Sequence, residues 1–390
     1  MKRISNLLFS LCLLSFLCAV TLGTFRNRDR EVSFYENRTL AKVPEITEEG
    51  LISGDYFDRW ESWFTDHAVA RTSLMKANTW LELSLLRQPV VNDLVVTEDC
   101  LLNYHGFGRW DPGFDKACST WASDLADFQS YVEEKGGVFC FVGVPHQYSY
   151  FSDKYPDYMD NRLWYLEPFR EETRRAADEA GVNMLDMNAV FTAQGHPDSY
   201  YAASDHHYSY AGARATYNAL IEHLDQDYDL GLKAVPVELQ QVPNPFLGSR
   251  NRKLNGMWQG EDALSIGILK EEVPFRRWDN GWETEAFLYR LPGDKESYVT
   301  YEVYMGGDVA ETILRTDRPE LPNVLIFGDS FTNALETMLY ASFNETRSID
   351  LRYYSEKTIR EYIDEYRPDV VICLRDESVY LSTQGNGNLS

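Results

Sequence analysis

The sequence predicts an α/β protein: a three-layer fold with a central parallel sheet flanked by helices, carrying a β-rich insertion. Three observations lead there. From about residue 115, apolar runs of strand length alternate with amphipathic runs of helix period. The apolar runs are hydrophobic on both faces, as strands buried between two helix layers must be. A chain of 390 residues, 44% hydrophobic and 14% aromatic, can bury a large core without disulfide support.

The elements follow in order. Met1-Lys2-Arg3 is a short basic head before an apolar run from Leu7 to Phe25. Its length lies between a signal-peptide core and a spanning helix, so residues 1–25 read as a membrane anchor, or as a signal cleaved near Thr21 and Gly23. Either reading exports the rest of the chain. Cys18 follows Phe16-Leu17, which does not fit a lipidation site. Residues 26–95 read as a polar linker and N-terminal helices. Tyr56, Trp60, Trp63, Phe64, then Leu74, Ala77, Leu81 and Leu85 recur at helical spacing, with a break near Asp66–Arg71. The Trp60/Trp63/Phe64 stripe reads as helix packing. A short strand follows over Val90–Val96, then a Gly-rich turn at Gly106–Gly113.

Residues 96–384 form the main domain. The spacing predicts a helix over 115–135, a strand over Val138–Val144, a helix over Pro168–Gly181 and a strand over Val182–Met187. A helix over Tyr208–Leu224 opens just after Asp205-His206-His207. Later come a strand over Pro322–Phe327, a helix over Phe331–Tyr340, a strand over Ile349–Tyr354, a helix over Ser355–Tyr366 and a strand over Asp369–Leu374. Residues 225–320 break this rhythm, and are read as a β-rich insertion, edge hairpin or lid within one α/β domain, with strand-like stretches at Glu285–Leu291 and Ser297–Tyr304. Residues 385–390 are a Gly/Asn/Ser tail.

The net charge of −24 excludes a nucleic-acid binder working by bulk charge, and argues against a strongly anionic polymer as substrate. Six cysteines include no Cys-x-x-Cys, so neither a thiol zinc site nor a redox motif is expected. Cys140 and Cys373 sit in apolar strands as core thiols, and Cys100 with Cys118 is left as an open pairing.

Two signals carry chemistry. A buried strand ends in Gly328-Asp329-Ser330 and a helix begins at once. Ligands of open α/β sheets bind at the carboxyl ends of strands, and a Ser at a helix N-terminus has free N–H groups nearby to hold an oxyanion. The plainer alternative is that Asp329 or Ser330 only caps the helix. The second signal is Ser204-Asp205-His206-His207-Tyr208-Ser209. A neutral His can take a serine proton while a carboxylate on its other nitrogen fixes the tautomer. In an extended segment, residues i and i+2 share a side, which pairs Asp205 with His207 and turns His206 away. A metal held by Asp205, His206, His207 and His196 is the competing reading, weakened because adjacent histidines rarely reach one ion.

Together these motifs resemble the SGNH hydrolase superfamily, and more finely the DHHW proteins and the AlgX/AlgJ group of alginate O-acetyltransferases. The resemblance runs from Glu36-Asn37-Arg38-Thr39-Leu40 and Phe64-Thr65-Asp66-His67 with Arg71, through Asp205–Ser209. It continues over Tyr304-Met305-Gly306-Gly307 and Asp329–Asn333 to Asp350-Leu351-Arg352-Tyr353-Tyr354. It implies an SGNH hydrolase-like fold and a triad with Ser330 as nucleophile, His207 as base and Asp205 as orienter. The Asp and His precede the Ser, the reverse of the usual SGNH order. It also implies acetyl transfer to an exported polysaccharide, with acetyl supplied by a membrane-bound acyltransferase, no cofactor and no metal. Tyr208 stands where the name motif has Trp, and His146-Gln147 stand where Asn-Lys would be expected. The SGNH oxyanion-hole blocks are not recognisable. His146, Gln147, Arg352 and Tyr208 are candidate substrate contacts, and Trp110, Trp258, Trp278 and Trp282 are candidate sugar platforms. Transferase and esterase share the acyl-enzyme half of the reaction, and the triad does not separate them. A non-catalytic glycan-binding or assembly protein is the alternative.

Overall fold

The computed structural model describes residues 2–28, 30–106, 111 and 113–390. The chain divides into two compact units, one of residues 1–92 with 251–259, the other of 93–250 with 260–390.

The first unit begins with helix α1 (Lys2–Arg26), whose segment from Ile4 is long and apolar enough to cross a membrane and is almost wholly exposed. Helices α2 (Asp55–His67) and α3 (Arg71–Trp80) follow, with the break where the pattern predicts it. The aromatic stripe packs inward: Trp63 is buried, stacks on the His67 ring at 4.6 Å and meets Phe25 at 5.3 Å. The N-terminal motif blocks form one ion-pair network. Arg71 holds Glu36 at 2.6 Å and Arg38 holds Asp66 at 2.5 Å. The Arg71 hydrogen bond brings Glu36 down to about 2, and that of Arg38 does the same for Asp66, in both cases against the opposing effect of burial.

The second unit is built on an eight-stranded sheet. Its strands are β1 (Val138–Val144), β2 (Met184–Asp186), β3 (Arg276–Asp279), β4 (Trp282–Thr284), β5 (Glu311–Arg315), β6 (Asn323–Gly328), β7 (Glu345–Ile349) and β8 (Val370–Asp376). The order is β4-β3-β5-β7-β6-β8-β1-β2. The five strands from β7 to β2 are parallel, and the three from β4 to β5 add to the edge antiparallel. Helices α4 (Phe114–Glu134), α5 (Leu163–Ala180), α6 (Tyr210–Tyr228), α7 (Phe331–Leu339) and α8 (Ile359–Tyr366) cover it. The α4 side buries Phe128, Phe139, Phe141, Phe327 and Val371 in one cluster.

Two predicted features are corrected. The fourth strand is Glu345–Ile349, not Ile349–Tyr354. The Asp350 carbonyl accepts from the N–H groups of Tyr353 and Tyr354, closing a turn where a strand was expected. Charged Glu345 and Arg347, paired at 2.7 Å, hid the real strand from an apolar criterion. Within the insertion, β3, β4 and β5 extend the edge of the main sheet, but the two predicted strand-like stretches do not. The stretches Glu285–Leu291 and Ser297–Tyr304 are not strands and meet only at an isolated Tyr289–Tyr304 bridge. Their alternation arises from tyrosines whose hydroxyls bond inward, Tyr289 to the Gly267 carbonyl and Tyr304 to that of Ser265. In the Gly/Asn/Ser tail, Asn386 is buried and donates to the Gly328 carbonyl at 2.5 Å. Cys100 and Cys118 are both buried free thiols.

Gly328 closes β6 against β8 so tightly that a Cβ there would lie 2.2 Å from the Leu374 carbonyl oxygen. Gly328→Ala should therefore cost about 1–3 kcal/mol of stability, measured by chemical denaturation, because backbone rather than a side chain must yield.

Candidate active site

Asp205, His207 and Ser330 meet although 123 residues separate His207 from Ser330. The Asp205 Oδ1 accepts from His207 Nδ1 at 2.7 Å, and His207 Nε2 lies 2.6 Å from the Ser330 hydroxyl. With the Nδ1 proton held by the carboxylate, the Nε2 lone pair faces the serine. The helix-cap reading of Ser330 is set aside by the same region: its side chain makes no cap bond, and Asp329 Oδ1 accepts from the Phe331 N–H at 3.2 Å instead.

The backbone around the pair is a bend, not an extended segment. Asp205 Oδ1 also takes the His207 N–H at 3.1 Å, an Asx-type turn that sets the two side chains together. This removes the reason for turning His206 away. Its ring centroid is 3.8 Å from that of His207, its Nδ1 is 3.4 Å from Asp205, and it pairs with the Ser249 hydroxyl at 2.8 Å.

Asp205 is 1% exposed. Burial works against its ionisation, but the charge and hydrogen bond of His207, the nearby His206 and the Ser249 N–H at 2.6 Å outweigh it. They hold the carboxyl well below the usual carboxylate range. Arg250, fully buried, donates to the Asp205 backbone carbonyl at 3.4 Å, to the Leu101 carbonyl and to Asn103 Oδ1. The His207 ring is sandwiched: Tyr301 stacks on it at 3.7 Å and 6°, and Phe331 lies at 5.0 Å. Sequence reasoning missed Ser249, Arg250 and Tyr301. Gly248-Ser249-Arg250 in the proline-rich loop was the available signal, since a Cβ on Gly248 would lie 2.3 Å from the Ser204 carbonyl.

Asp205, His206 and His207 bring ligand atoms within 4.8 Å of one another, the spacing of a metal site. Both His207 nitrogens and the His206 Nδ1 already have protein partners, however, so an ion there would have to displace the serine contact or the carboxylate contact.

The remaining sequence candidates fall elsewhere. Gln147 is 0% exposed; its amide nitrogen donates to the carbonyls of Leu101 and Ala202 and so ties segments together, while its Oε1 is buried with no partner among the described residues. Tyr208 is buried, its hydroxyl donating to the Phe331 carbonyl, and it clamps the start of α7. His146 is buried beside His206, ring centroids 6.1 Å apart, and burial pushes its imidazole well below the ordinary histidine value. Arg352 lies in the turn after β7 and not in a strand. It bonds Asp350 at 2.9 Å and Asp308 at 2.9 Å, and Asp308 also takes the Asn333 amide. Two of the motif blocks, Asp329–Asn333 and Asp350–Tyr354, thus meet through Asp308, which directly follows a third, in one polar network at the head of α7. Trp258 is buried, Trp278 carries the guanidinium groups of Arg276 and Arg315 over its ring, and Trp282 is 79% exposed. Trp110 and most of the Gly106–Gly113 turn lie outside the described residues.

Next to Ser330, Asp329 Oδ2 accepts from the Asp376 N–H at 3.0 Å. Burial first, then the charge of Asp329, push the Asp376 carboxyl up to about 8.

With this geometry in view, residues 113–276 match the family model described as SGNH hydrolase-like domain, acetyltransferase AlgX. The fold is SGNH hydrolase-like. Bacillus cereus PatB1 carrying a sulfonyl adduct aligns at a TM-score of 0.60 and 18% identity, over 74% of this chain and 95% of that one. A DHHW family protein from Eubacterium siraeum aligns at 0.55 and 17% identity, over 75% and 93%. The resemblance drawn from the motif blocks is thereby matched by both a family model and solved folds. None of the curated proteins compared matches the chain. The family match covers Asp205 and His207 and stops short of Ser330.

Two outcomes follow from the SGNH-like site. Tyr301→Ala removes the ring that fixes the imidazole plane, so kcat on an acetyl ester should fall about tenfold or more while Tyr301→Phe stays near wild type; steady-state kinetics decides. For Asp376, a raised folded-state pKa means its contribution to stability is full below an unfolded value of about 4 and is lost as pH rises through about 8. Between those limits wild type should lose stability relative to Asp376→Asn, as read by melting both proteins across pH 4 to about 9.

Proposed function

We propose that this protein is a serine-dependent O-acetyltransferase acting on a polysaccharide outside the membrane, tethered by α1. The observation that supports it is the continuous chain from Asp205 through His207 to Ser330, at 2.7 and 2.6 Å. The match of residues 113–276 to a model described as acetyltransferase AlgX supports acetyl as the group transferred.

In the first half-reaction the Ser330 Oγ attacks the acetyl carbonyl of a donor ester while His207 Nε2 takes its proton. The carbonyl re-forms, the donor oxygen leaves, and His207 returns the proton to it, so acetyl-Ser330 remains. In the second half a sugar hydroxyl gives its proton to His207 and attacks, and Ser330 is released with its proton restored. Asp205 stays ionised throughout and stabilises the imidazolium of each transition state. Water in place of the sugar would make the same site an esterase. A membrane-bound acyltransferase would fit the donor role, and α1 would keep both at one membrane.

Incubation with 4-nitrophenyl acetate should leave a 42 Da mark on Ser330, found by peptide mass spectrometry as an acetyl group (about 42 Da by composition). Ser330→Ala should abolish the mark and the turnover, and His207→Ala should do nearly the same. Asp205→Asn should lower kcat by roughly 10²- to 10⁴-fold with the fold retained, because the orienting charge is lost. Adding a soluble oligosaccharide should speed loss of the mark and acetylate the sugar. Loss of the mark only to water would identify an esterase, and an active Ser330→Ala would sink the serine mechanism.

A further inference from the structure

A cavity lies on the face of the sheet covered by α4, apart from the triad residues. Its volume is about 320 Å³, and its walls are mainly apolar, with Trp121 and Leu125 of α4, Phe141 of β1, Cys373 of β8, and Tyr380 and Leu389 beyond it. The one deeply buried cation in that wall is Arg375, two residues on from Cys373 and therefore on the same side of β8. It is 5% exposed. Its Nη2 donates to the Val379 carbonyl at 2.7 Å, and its Nε is buried with no partner among the described residues. No carboxylate among the described residues pairs with it either.

That arrangement is costly unless something completes it. A buried guanidinium without a counter-charge forfeits its hydration, and an orphaned N–H adds a further penalty. An arginine fork presents parallel donors that match a carboxylate, while the surrounding rings and aliphatic groups suit a hydrocarbon. We propose that this cavity is a binding site for a medium-chain carboxylate, its acid head on Arg375 and its chain along Trp121, Leu125 and Tyr380. The site is independent of the acyl-transfer reading, because none of the triad residues lines it. Asn386 forms part of its wall and also donates to the Gly328 carbonyl, two residues before the nucleophile.

The test uses the full chain in lipid nanodiscs and radiolabelled octanoate, with empty nanodiscs as background. Saturable binding at one octanoate per chain is expected. Arg375→Met should weaken it about tenfold or more, as loss of one charge-assisted contact implies. Should Arg375→Met fail to fold, Ala117→Trp, at the exposed rim of the cavity, should block binding without touching the core. Competition with 1-octanol separates charge recognition from simple apolar filling, and octanoate should win by about tenfold. No saturable binding above empty nanodiscs overturns the proposal. So does octanol competing as well as octanoate, or undiminished binding in a folded Arg375→Met or Ala117→Trp protein. Acetyl-ester turnover in Arg375→Met and Ala117→Trp is expected to persist, so failure here and failure of the serine mechanism are distinguishable.

Discussion

The site hangs on one buried carboxylate. Asp205 spends Oδ1 on the ring and backbone of its own neighbour, His207, and Oδ2 on the Ser249 N–H of a loop far along the chain. A buried charge with both oxygens hydrogen-bonded is worth keeping; the same charge with one partner missing is strongly destabilising. The 205–207 bend and the 248–250 segment are therefore fastened to each other by a group that cannot afford release. Arg250 extends the fastening to Leu101 and Asn103, and Gln147 reaches the same Leu101 carbonyl from the end of β1. The imidazole is placed by this lattice, and only then does it find Ser330.

Much of that was legible in the sequence, for identifiable reasons. The five parallel strands were visible in outline because burial on both faces demands unbroken apolar runs, as in Val138–Val144 and Asn323–Gly328. β7 was misplaced because it adjoins the antiparallel edge and carries charged residues that pair with one another. The antiparallel strands β3 to β5 were missed for a related reason: Arg277 lies wholly buried in β3, bonded to Asp279 and to the carbonyls of Phe287 and Met305, so polarity misreported its depth.

For the site, residue chemistry carried further than local geometry. Asp205, His207 and Ser330 were legible because an Asp–His pair and a strand-ending serine have few joint uses. The bend at 205–207 was not, because an Asx turn and an extended segment look alike in one sequence. His146, Gln147 and Tyr208 were chosen for their position at strand or helix ends, but position says nothing of depth. All three are buried; the Gln147 amide nitrogen and the Tyr208 hydroxyl donate to backbone carbonyls, and the Gln147 Oε1 has no partner among the described residues. The supporting shell of Ser249, Arg250 and Tyr301 comes from the irregular insertion, where no periodicity guides the eye.

The strand order has a consequence for how such a chain comes alive. β6, which delivers Ser330, is hydrogen-bonded between β7 and β8, and both are made after it. As the chain is synthesised from its N-terminus, the Ser330 strand has no partner on either side until residues 345–376 have followed. His207 waits longer still, since its segment is complete well over a hundred residues before Ser330 is seated. The Asp205–His207–Ser330 cluster therefore cannot assemble before residue 376 has been made. A shorter nascent chain holds the three side chains without their meeting, and so without whatever chemistry their meeting allows.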